Sequence, residues 1–274
     1  MNNDERIISN EEFKFIASLV KDEIGIILDI EKKKELVSNR ISRRLKKLNM
    51  NKFSEYINYL KADKNNLELE NLVNSITTNL TKFFREDHHF EHLKSHLGDL
   101  LNKKNRIRIW CAGCSTGQEP YSVAMVVNDL LKGSKLKDVK ILATDVDTKV
   151  LETGKNGVYS IDSIGTIPEE YADKYCTIQG DKSKFEIKKQ VKDFVHFKHL
   201  NLLNNWPMQG KFDIIFCRNV IIYFDNPTKQ NLIKRYHGLI EDNGILYLGH
   251  SENILGIADM FESLGKTIYK HVKS

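Results

Sequence analysis

The sequence predicts a mixed α/β protein, with an all-helical N-terminal domain ahead of a mainly parallel β-sheet. Before about residue 95, apolar side chains recur at helical spacing. After residue 105, short apolar runs alternate with amphipathic helical stretches, the pattern of a parallel sheet covered by helices on both faces. Glycine and polar segments follow several of these runs directly, where open α/β sheets bind ligands.

The helical domain is assigned to residues 1–95. Its first helix is predicted to open at a capping box, in which Ser9 is followed three residues later by Glu12, and to end at Gly25. Three further amphipathic helices are predicted at Lys32–Leu48, Phe53–Leu60 and Leu67–Ile76.

The sheet domain is assigned to residues 96–274. The predicted strands are Ile107–Trp110, Lys140–Thr144, Phe194–Leu200, Phe212–Cys217, Gly244–Gly249 and Thr267–Val272. The predicted helices are Pro120–Leu131, Lys149–Asn156 and Thr228–Ile240. Strand, helix and strand in succession require right-handed crossovers, so the domain is expected to be Rossmann-like.

Residues 157–193 are too long for one crossover. They contain two strand-like runs, Lys174–Gln179 and Phe185–Val191, separated by the turn residues Gly180–Ser183. We therefore expect a small antiparallel β insertion on the main sheet.

Composition narrows the class of protein. The chain has 274 residues, of which 29% are charged and 41% hydrophobic, so a disordered protein is excluded. No apolar run is long enough to cross a bilayer, and the polar start is not typical of a signal peptide. Four cysteines do not indicate a disulfide framework. We expect a cytoplasmic monomer; the net charge of +5 alone does not indicate nucleic-acid binding.

The first predicted strand runs into a loop with glycines at 113 and 117, and Pro120 then suits the first turn of a helix. The strict dinucleotide fingerprint Gly-x-Gly-x-x-Gly is absent, which disfavours a nicotinamide enzyme. Asp145 ends the second strand, where a carboxylate can accept hydrogen bonds from ribose hydroxyls, while Asp147 is assigned as the N-cap of the next helix. Together these features favour an adenosine-containing cofactor.

Four segments resemble the CheR family of chemoreceptor glutamate methyltransferases. They are Asn79–Glu86, Ala112–Tyr121, Phe216–Phe224 and Gly249–Asn253. Their order and spacing extend over nearly the whole chain. The resemblance implies a methyltransferase fold that uses S-adenosylmethionine, releases S-adenosylhomocysteine and methylates glutamate carboxylates of chemotaxis receptors for adaptation.

Carried over position by position, the resemblance implies cofactor contacts at Asn79, Thr81, Arg85, Glu119, Asp145, Asn201, Leu202, Arg218 and Asn219. Gly113 and Gly117 are added because glycine lets the backbone approach a ligand closely. For Asn79 and Thr81, helix capping is the alternative that the residues alone would favour.

Two residues are candidates for catalysis. Arg85 can hold the substrate carboxylate in a bidentate way, and Tyr223 can offer a neutral hydroxyl near the transfer point. A glutamate carboxylate is already ionised at neutral pH, so no general base is expected. The Asp/Asn-Pro-Pro-Tyr motif of many amino-group methyltransferases is absent after the fourth strand.

Basic residues gather on one face of the second helix. Lys33, Arg40, Arg43 and Lys47 share this face, which in the family docks on the acidic receptor bundle. The turn of the β insertion is shorter than in members that bind a receptor tether peptide. A nucleic-acid methyltransferase and a non-catalytic cofactor-binding adaptor are the remaining alternatives.

Two patterns could indicate metal or redox chemistry. Cys111 and Cys114 form a Cys-x-x-Cys pair, and His88, His92 and His96 recur at four-residue spacing. The simpler explanations are small residues that line a loop, for the cysteines, and a solvated or half-buried helix face, for the histidines, so no metal is expected.

Overall fold

The computed structural model describes residues 7–131, 138–254 and 258–273. It divides the chain into two compact units. The helical unit contains the residues up to Thr78 together with Tyr223–Asp225, and the sheet unit contains Asn79–Ile222 and the residues from Asn226 onwards.

The helical unit is built from four amphipathic helices: α1 (Asn10–Ile24), α2 (Ile30–Leu48), α3 (Phe53–Ala62) and α4 (Leu67–Ile76). The predicted capping box is confirmed, because Ser9 and Glu12 satisfy each other's backbone N–H groups. Gly25 ends α1 in the left-handed conformation, with φ of 74°. The buried faces of the four helices form the core of this unit. This core includes Phe13, Ile16, Val20, Val37, Ile41, Leu45, Tyr56, Leu72 and Ile76.

The sheet unit begins with α5 (His88–Lys103). Its seven-stranded sheet contains β1 (Arg106–Ala112), β2 (Asp138–Asp145), β6 (Val195–His199), β7 (Phe212–Cys217), β8 (Ile240–Leu248), β9 (Phe261–Gly265) and β10 (Ile268–His271). The helices between these strands are α6 (Gln118–Leu130), α7 (Thr148–Asn156) and α10 (Asn226–Leu239). The six strands expected from the sequence are confirmed; β9 was not foreseen.

The strand order is β6-β2-β1-β7-β8-β10-β9. The first four pairings in this order are parallel, and β10 is antiparallel to both of its neighbours. All six residues of β7 are buried, as expected of a central strand covered on both faces. The chain leaves β1 towards β2 on one side and later returns to β7 on the other. The carboxyl end of β1 is therefore a topological switch point, the usual ligand position in such sheets.

The β insertion is confirmed as a three-stranded antiparallel sheet. Its strands are β3 (Val158–Ser160), β4 (Cys176–Ile178) and β5 (Lys184–Ile187), in the order β3-β5-β4. Both expected runs are shorter than predicted, because α8 (Glu169–Tyr175) occupies the start of the first and α9 (Lys189–Lys192) the end of the second. The turn lies where expected, with Asp181 accepting the backbone N–H of Ser183.

The sheet unit starts earlier than the boundary at residue 95 that the sequence suggested. The reason is the packing of α5, whose apolar face carries Phe90, Leu93 and Leu97. These side chains are buried in one core with residues of α6 and the central strands. Segment 79–95 therefore belongs with the sheet. In the described part of the chain, no helix combines the length and apolar character needed to cross a membrane.

Candidate active site

The loop after β1 requires glycine at two positions. Gly113 has φ of +75°, and a Cβ there would overlap the side chain of Val220. Gly117 has φ of +95°, and its Cβ would lie 3.0 Å from the Cα of Gly154 and from the ring of Phe197. Side chains are strained in this conformation and crowded in this space. The backbone of the loop therefore closes tightly over the carboxyl end of β1, just before α6 begins.

Asp145 holds this loop against the end of β2. Its carboxylate accepts the backbone N–H of Ser115 at 2.8 Å and that of Asp147 at 3.0 Å. The side chain is buried, and burial raises the pKa of the carboxyl group while the two hydrogen bonds oppose the rise. Asp145 thus lies where the sequence placed it and also organises the neighbouring loop.

Asn79 is bound to the same region of the sheet unit. Its side-chain amide donates to Oδ2 of Asp147 at 2.8 Å, and its carbonyl accepts from the hydroxyl of Ser115 at 3.1 Å. Asp147 also caps α7 as predicted, accepting the N–H groups of Lys149 and Val150. Neither Asn79 nor Thr81 caps a helix, since α4 has Thr77 as its C-cap and α5 has Asp87 as its N-cap. The capping alternative is wrong.

Arg218, one residue beyond β7, lies at the centre of a buried charge network. Only 5% of the residue is exposed. Its Nη1 donates to Oε2 of Glu119 at 3.2 Å, and its Nη2 lies 3.2 Å from Oε2 of Glu86. The same Nη2 donates to the backbone carbonyl of Arg85, and the guanidinium lies over the ring of Phe90. One cation therefore ties segment 85–90 to the start of α6.

The two carboxylates of this network differ in their pKa. For Glu119, burial outweighs the favourable charge of Arg218 and raises the pKa to about 7. For Glu86, burial alone would raise the pKa, but Arg218 and His250 together lower it to about 2. Glu86 is thus ionised at neutral pH, whereas the carboxyl group of Glu119 titrates near neutral pH. Glu86 was not recognised as a site residue from the sequence, although it closes the first motif.

Arg85 differs from Arg218 in having little to bind within the protein. Its Nη1 donates to the backbone carbonyl of Leu80 at 3.1 Å, within the same short loop. Among the described residues, no carboxylate pairs with its guanidinium. The half-exposed Arg85 therefore has guanidinium donors without an acceptor among the described residues, whereas both terminal nitrogens of Arg218 bind groups of the protein.

Glu252 is a second site residue that sequence reasoning missed. It is buried, and its carboxylate accepts the backbone N–H groups of Asn219, Val220, Ile222 and Gly249. Asn219 itself has φ of 60°, a left-handed conformation that asparagine tolerates. The signal was present in the Gly249–Asn253 motif, in which Glu252 is the only acidic residue.

Asn201 and Leu202 follow β6 and are both buried. The side-chain oxygen of Asn201 accepts the backbone N–H of Leu203 at 3.0 Å. The carbonyl of Leu202 accepts hydrogen bonds from Trp206 and from Arg235, whose guanidinium lies 3.8 Å from the centre of the Trp206 ring. Arg235 of α10 therefore helps to fix the segment that follows β6.

Tyr223 is counted with the helical unit. Its backbone carbonyl accepts the N–H of Ile27 at 2.9 Å.

Arg40, in the same unit, differs from the expected docking role: its guanidinium donates to the carbonyls of Ile76 and Thr77 and to the hydroxyl of Thr78. Arg40 is half-buried because it satisfies carbonyl groups at the end of α4. Lys33 is half-buried as well, and Arg43 and Lys47 are exposed.

The cysteine and histidine patterns receive structural explanations. Cys111 and Cys114 are buried, and burial raises the pKa of both thiols well above the usual value, which disfavours reactive thiolates. His92 donates to or accepts from the hydroxyl of Tyr247 at 2.7 Å. Within the described residues, Glu86, His88 and His89 have potential ligand atoms within 4.8 Å of one another, but Glu86 is already paired with Arg218.

Known proteins match this chain over most of its length. Residues 11–77 match the family model "CheR methyltransferase, all-alpha domain", and residues 79–270 match "CheR methyltransferase, SAM binding domain". The chain is 39% identical over 261 residues to a probable chemotaxis protein methyltransferase of Rhizobium etli, covering 92% of this chain and 97% of that protein. It is 36% identical over 266 residues to the chemotaxis protein methyltransferase of Escherichia coli, covering 96% and 91%. The chain therefore belongs to the CheR methyltransferase family, and it is a chemotaxis protein methyltransferase that uses S-adenosylmethionine.

Proposed function

We propose that this enzyme transfers the methyl group of S-adenosylmethionine to glutamate side-chain carboxylates of methyl-accepting chemotaxis receptors. The products are glutamate methyl esters and S-adenosylhomocysteine. One observation carries the choice of acceptor: Arg85 presents a guanidinium without a carboxylate partner among the described residues, beside a second arginine whose partners are all internal. A guanidinium is the side chain best suited to bind a carboxylate in two-point geometry.

The residues at the carboxyl edge of the sheet fit the cofactor by their chemistry. Asp145 can accept from ribose hydroxyls, and Asn201 with Leu202 can bind the adenine edge and face. Glu119 can pair with the ammonium of the methionine part. Nε of Arg218 is buried without a hydrogen-bond acceptor among the described residues, so a donor remains for the cofactor. Asn79, Thr81, Gly113, Gly117 and Asn219 complete the proposed cofactor-binding set.

When bound, the cofactor supplies an electrophilic methyl group on a sulfonium. A carboxylate oxygen of the substrate forms the new C–O bond while the C–S bond breaks and its electron pair stays on sulfur. No proton moves, because a glutamate with a pKa of about 4.3 is already ionised. The enzyme's task is therefore alignment and exclusion of water rather than general base catalysis.

Arg85 is proposed to orient the carboxylate, and Tyr223 to offer a neutral hydroxyl to it. An ion pair to both oxygens would make the nucleophile less reactive. We therefore expect Arg85 to bind the oxygen that does not attack, which leaves the other free for the methyl group.

Receptor docking is assigned to the basic face of α2. Arg43 and Lys47 carry this charge on exposed side chains, whereas Lys33 is half-buried and the guanidinium of Arg40 binds backbone carbonyls within the helical unit. A basic helix face suits an acidic helical receptor bundle and accelerates association through long-range attraction.

The test uses S-adenosylmethionine with a tritiated methyl group, the purified protein and membranes that contain receptors of the same cell. Carboxyl methyl esters are labile to base, so base-labile radioactivity in the receptor band is the expected result. A receptor with its candidate glutamates replaced by alanine is the control and should remain unlabelled.

Base-stable label in the receptor would contradict the proposed ester and indicate a nitrogen acceptor. Label in added RNA or DNA would favour a nucleic-acid methyltransferase. Tight cofactor binding without transfer to any receptor would favour the non-catalytic adaptor.

A further inference from the structure

Glu252 is a buried acid, and within the described part of the chain its carboxylate accepts hydrogen bonds from backbone N–H groups only. Oε1 accepts from the N–H of Val220 at 2.9 Å and of Ile222 at 3.2 Å. Oε2 accepts from the N–H of Asn219 at 2.8 Å and of Gly249 at 2.6 Å. Only 4% of the residue is exposed, so water cannot replace these bonds freely.

The segment bound by Glu252 has no regular secondary structure to fix it. β7 ends at Cys217, and the 3₁₀ turn begins only at Ile221. Between them, Asn219 takes the left-handed conformation with φ of 60°, which costs free energy in a non-glycine residue. The backbone donors of this turn point inwards to one carboxylate, and the carboxylate therefore determines the path of the chain.

The absence of a side chain at Gly249 leaves room for the carboxylate of Glu252. A Cβ at this position would lie 2.8 Å from the backbone nitrogen of Asn219 and 2.8 Å from Oε2 of Glu252. Both contacts are too short for carbon. The carboxyl end of β8 and the turn after β7 thus meet at this carboxylate, with no room for a side chain between them.

We propose that Glu252 is a positioning residue for cofactor binding: it fixes the turn that places Arg218 and Asn219 at the carboxyl edge of the sheet. The inference rests on the cofactor contacts that the proposed function assigns to these two residues. The donors to the Glu252 carboxylate among the described residues are backbone N–H groups, so its influence on the cofactor passes through the turn.

The experiment compares three variants in cofactor affinity and thermal stability. Glu252→Gln keeps the shape of the side chain but places an amide N–H₂ against backbone donors. Gly249→Ala disturbs the same contact from the other side. Asp213→Asn is the matched control, because Asp213 is also a buried acid. It lies within β7, at the end opposite to the turn, and accepts the N–H of Arg108 and the ammonium of Lys104.

The dissociation constant of S-adenosylmethionine, measured by calorimetry, should rise about tenfold or more in both Glu252→Gln and Gly249→Ala. Asp213→Asn should lower the melting temperature to a similar degree and leave the dissociation constant within about twofold. A purely structural role of Glu252 would lower thermal stability without this selective loss of cofactor affinity.

Two results would overturn the proposal. One is an unchanged dissociation constant in Glu252→Gln; the other is an equal rise in Asp213→Asn, which would mean that any loss of stability weakens binding. If Glu252→Gln does not fold, Gly249→Ala carries the same comparison. A rise of about tenfold in its dissociation constant, in protein that circular dichroism shows to be folded, supports the proposal, and a dissociation constant within about twofold of the wild type contradicts it. Cofactor affinity is measured without receptor, so failure of the proposed receptor methylation would appear separately, in the wild-type protein.

Discussion

Nη1 of Arg218 donates to Oε2 of Glu119 across 3.2 Å, joining the end of β7 to the first turn of α6. Nη2 of the same guanidinium contacts Glu86 and donates to the backbone carbonyl of Arg85. Three segments that are distant in the chain therefore depend on one buried cation, and several predictions concern its partners.

Arg218→Lys should lower both stability and cofactor affinity. A single ammonium cannot reach three acceptors that a planar guanidinium contacts together, so at least one buried carboxylate loses its partner. We expect a loss of about 1–3 kcal/mol in the free energy of unfolding, measured by urea denaturation. A variant as stable as the wild type would show that the network contributes little to folding.

Glu119 should couple cofactor binding to proton release. Its pKa of about 7 leaves it partly protonated at neutral pH, and a cationic ammonium placed beside it favours the ionised form. Affinity for S-adenosylmethionine should therefore rise between about pH 6 and pH 8, with release of up to about one proton near pH 6.5. Calorimetry in two buffers of different ionisation heat measures this proton. Glu119→Gln should abolish the release and weaken binding.

Arg85→Ala should reduce methyl transfer to the receptor by about 100-fold, since orientation of the carboxylate is lost. Arg85→Lys retains the charge without two-point geometry and should recover only part of the rate. Initial rates of base-labile labelling, at saturating cofactor, measure both. Near-normal turnover of the alanine variant would remove Arg85 from the mechanism.

Arg43→Glu and Lys47→Glu should weaken receptor binding and leave cofactor affinity unchanged. Both side chains are exposed on α2, where reversed charge repels an acidic partner. The rate of receptor methylation at low receptor concentration should fall, and the fall should shrink at high ionic strength. Cofactor affinity falling in parallel would contradict the docking assignment.

Arg40→Glu should behave differently from its neighbours on α2. The variant removes the donors that satisfy the carbonyls of Ile76 and Thr77 and places a carboxylate beside them. We expect a loss of about 2 kcal/mol or more in stability, which thermal unfolding would detect. Equal stability of the Arg40 and Arg43 variants would show that the carbonyl contacts of Arg40 are unimportant.

Stability should also fall in mild acid because of two histidines, the buried His89 and the partly buried His96. Burial lowers the pKa of His89 and of His96 to about 4, whereas an unfolded histidine has a pKa of about 6.5. Their contribution is complete above the unfolded pKa and is lost as the pH falls through the folded pKa. Between about pH 6.5 and pH 4, His96→Leu should reduce the pH dependence of unfolding by about one proton. His196→Leu, at an exposed position, is the matched control and should leave this slope unchanged.

Features that depend on neighbouring residues were predictable from the sequence. The capping box at Ser9, the end of α1 at Gly25 and the buried strand Phe212–Cys217 each follow from side chains within a few positions of one another. The carboxyl edge of the sheet, where the site is proposed, was predictable for the same reason, because strand ends and glycine turns mark the carboxyl edge of a parallel sheet. The roles of individual site residues remain proposals.

Features that depend on contacts between distant residues were not predictable. Arg218 and Arg85 are 133 positions apart, and no local pattern indicates that one donates to the carbonyl of the other. The same holds for Glu252, whose four donors come from the segments after two strands, and for Arg40, whose place on a basic helix face suggested a contact with the receptor. The sequence by itself determined most of the helices and main-sheet strands, their order and the edge of the sheet at which the ligand site is proposed. Only the tertiary structure decided which buried charges neutralise one another, because a buried ion is stable only beside a partner that folding brings to it.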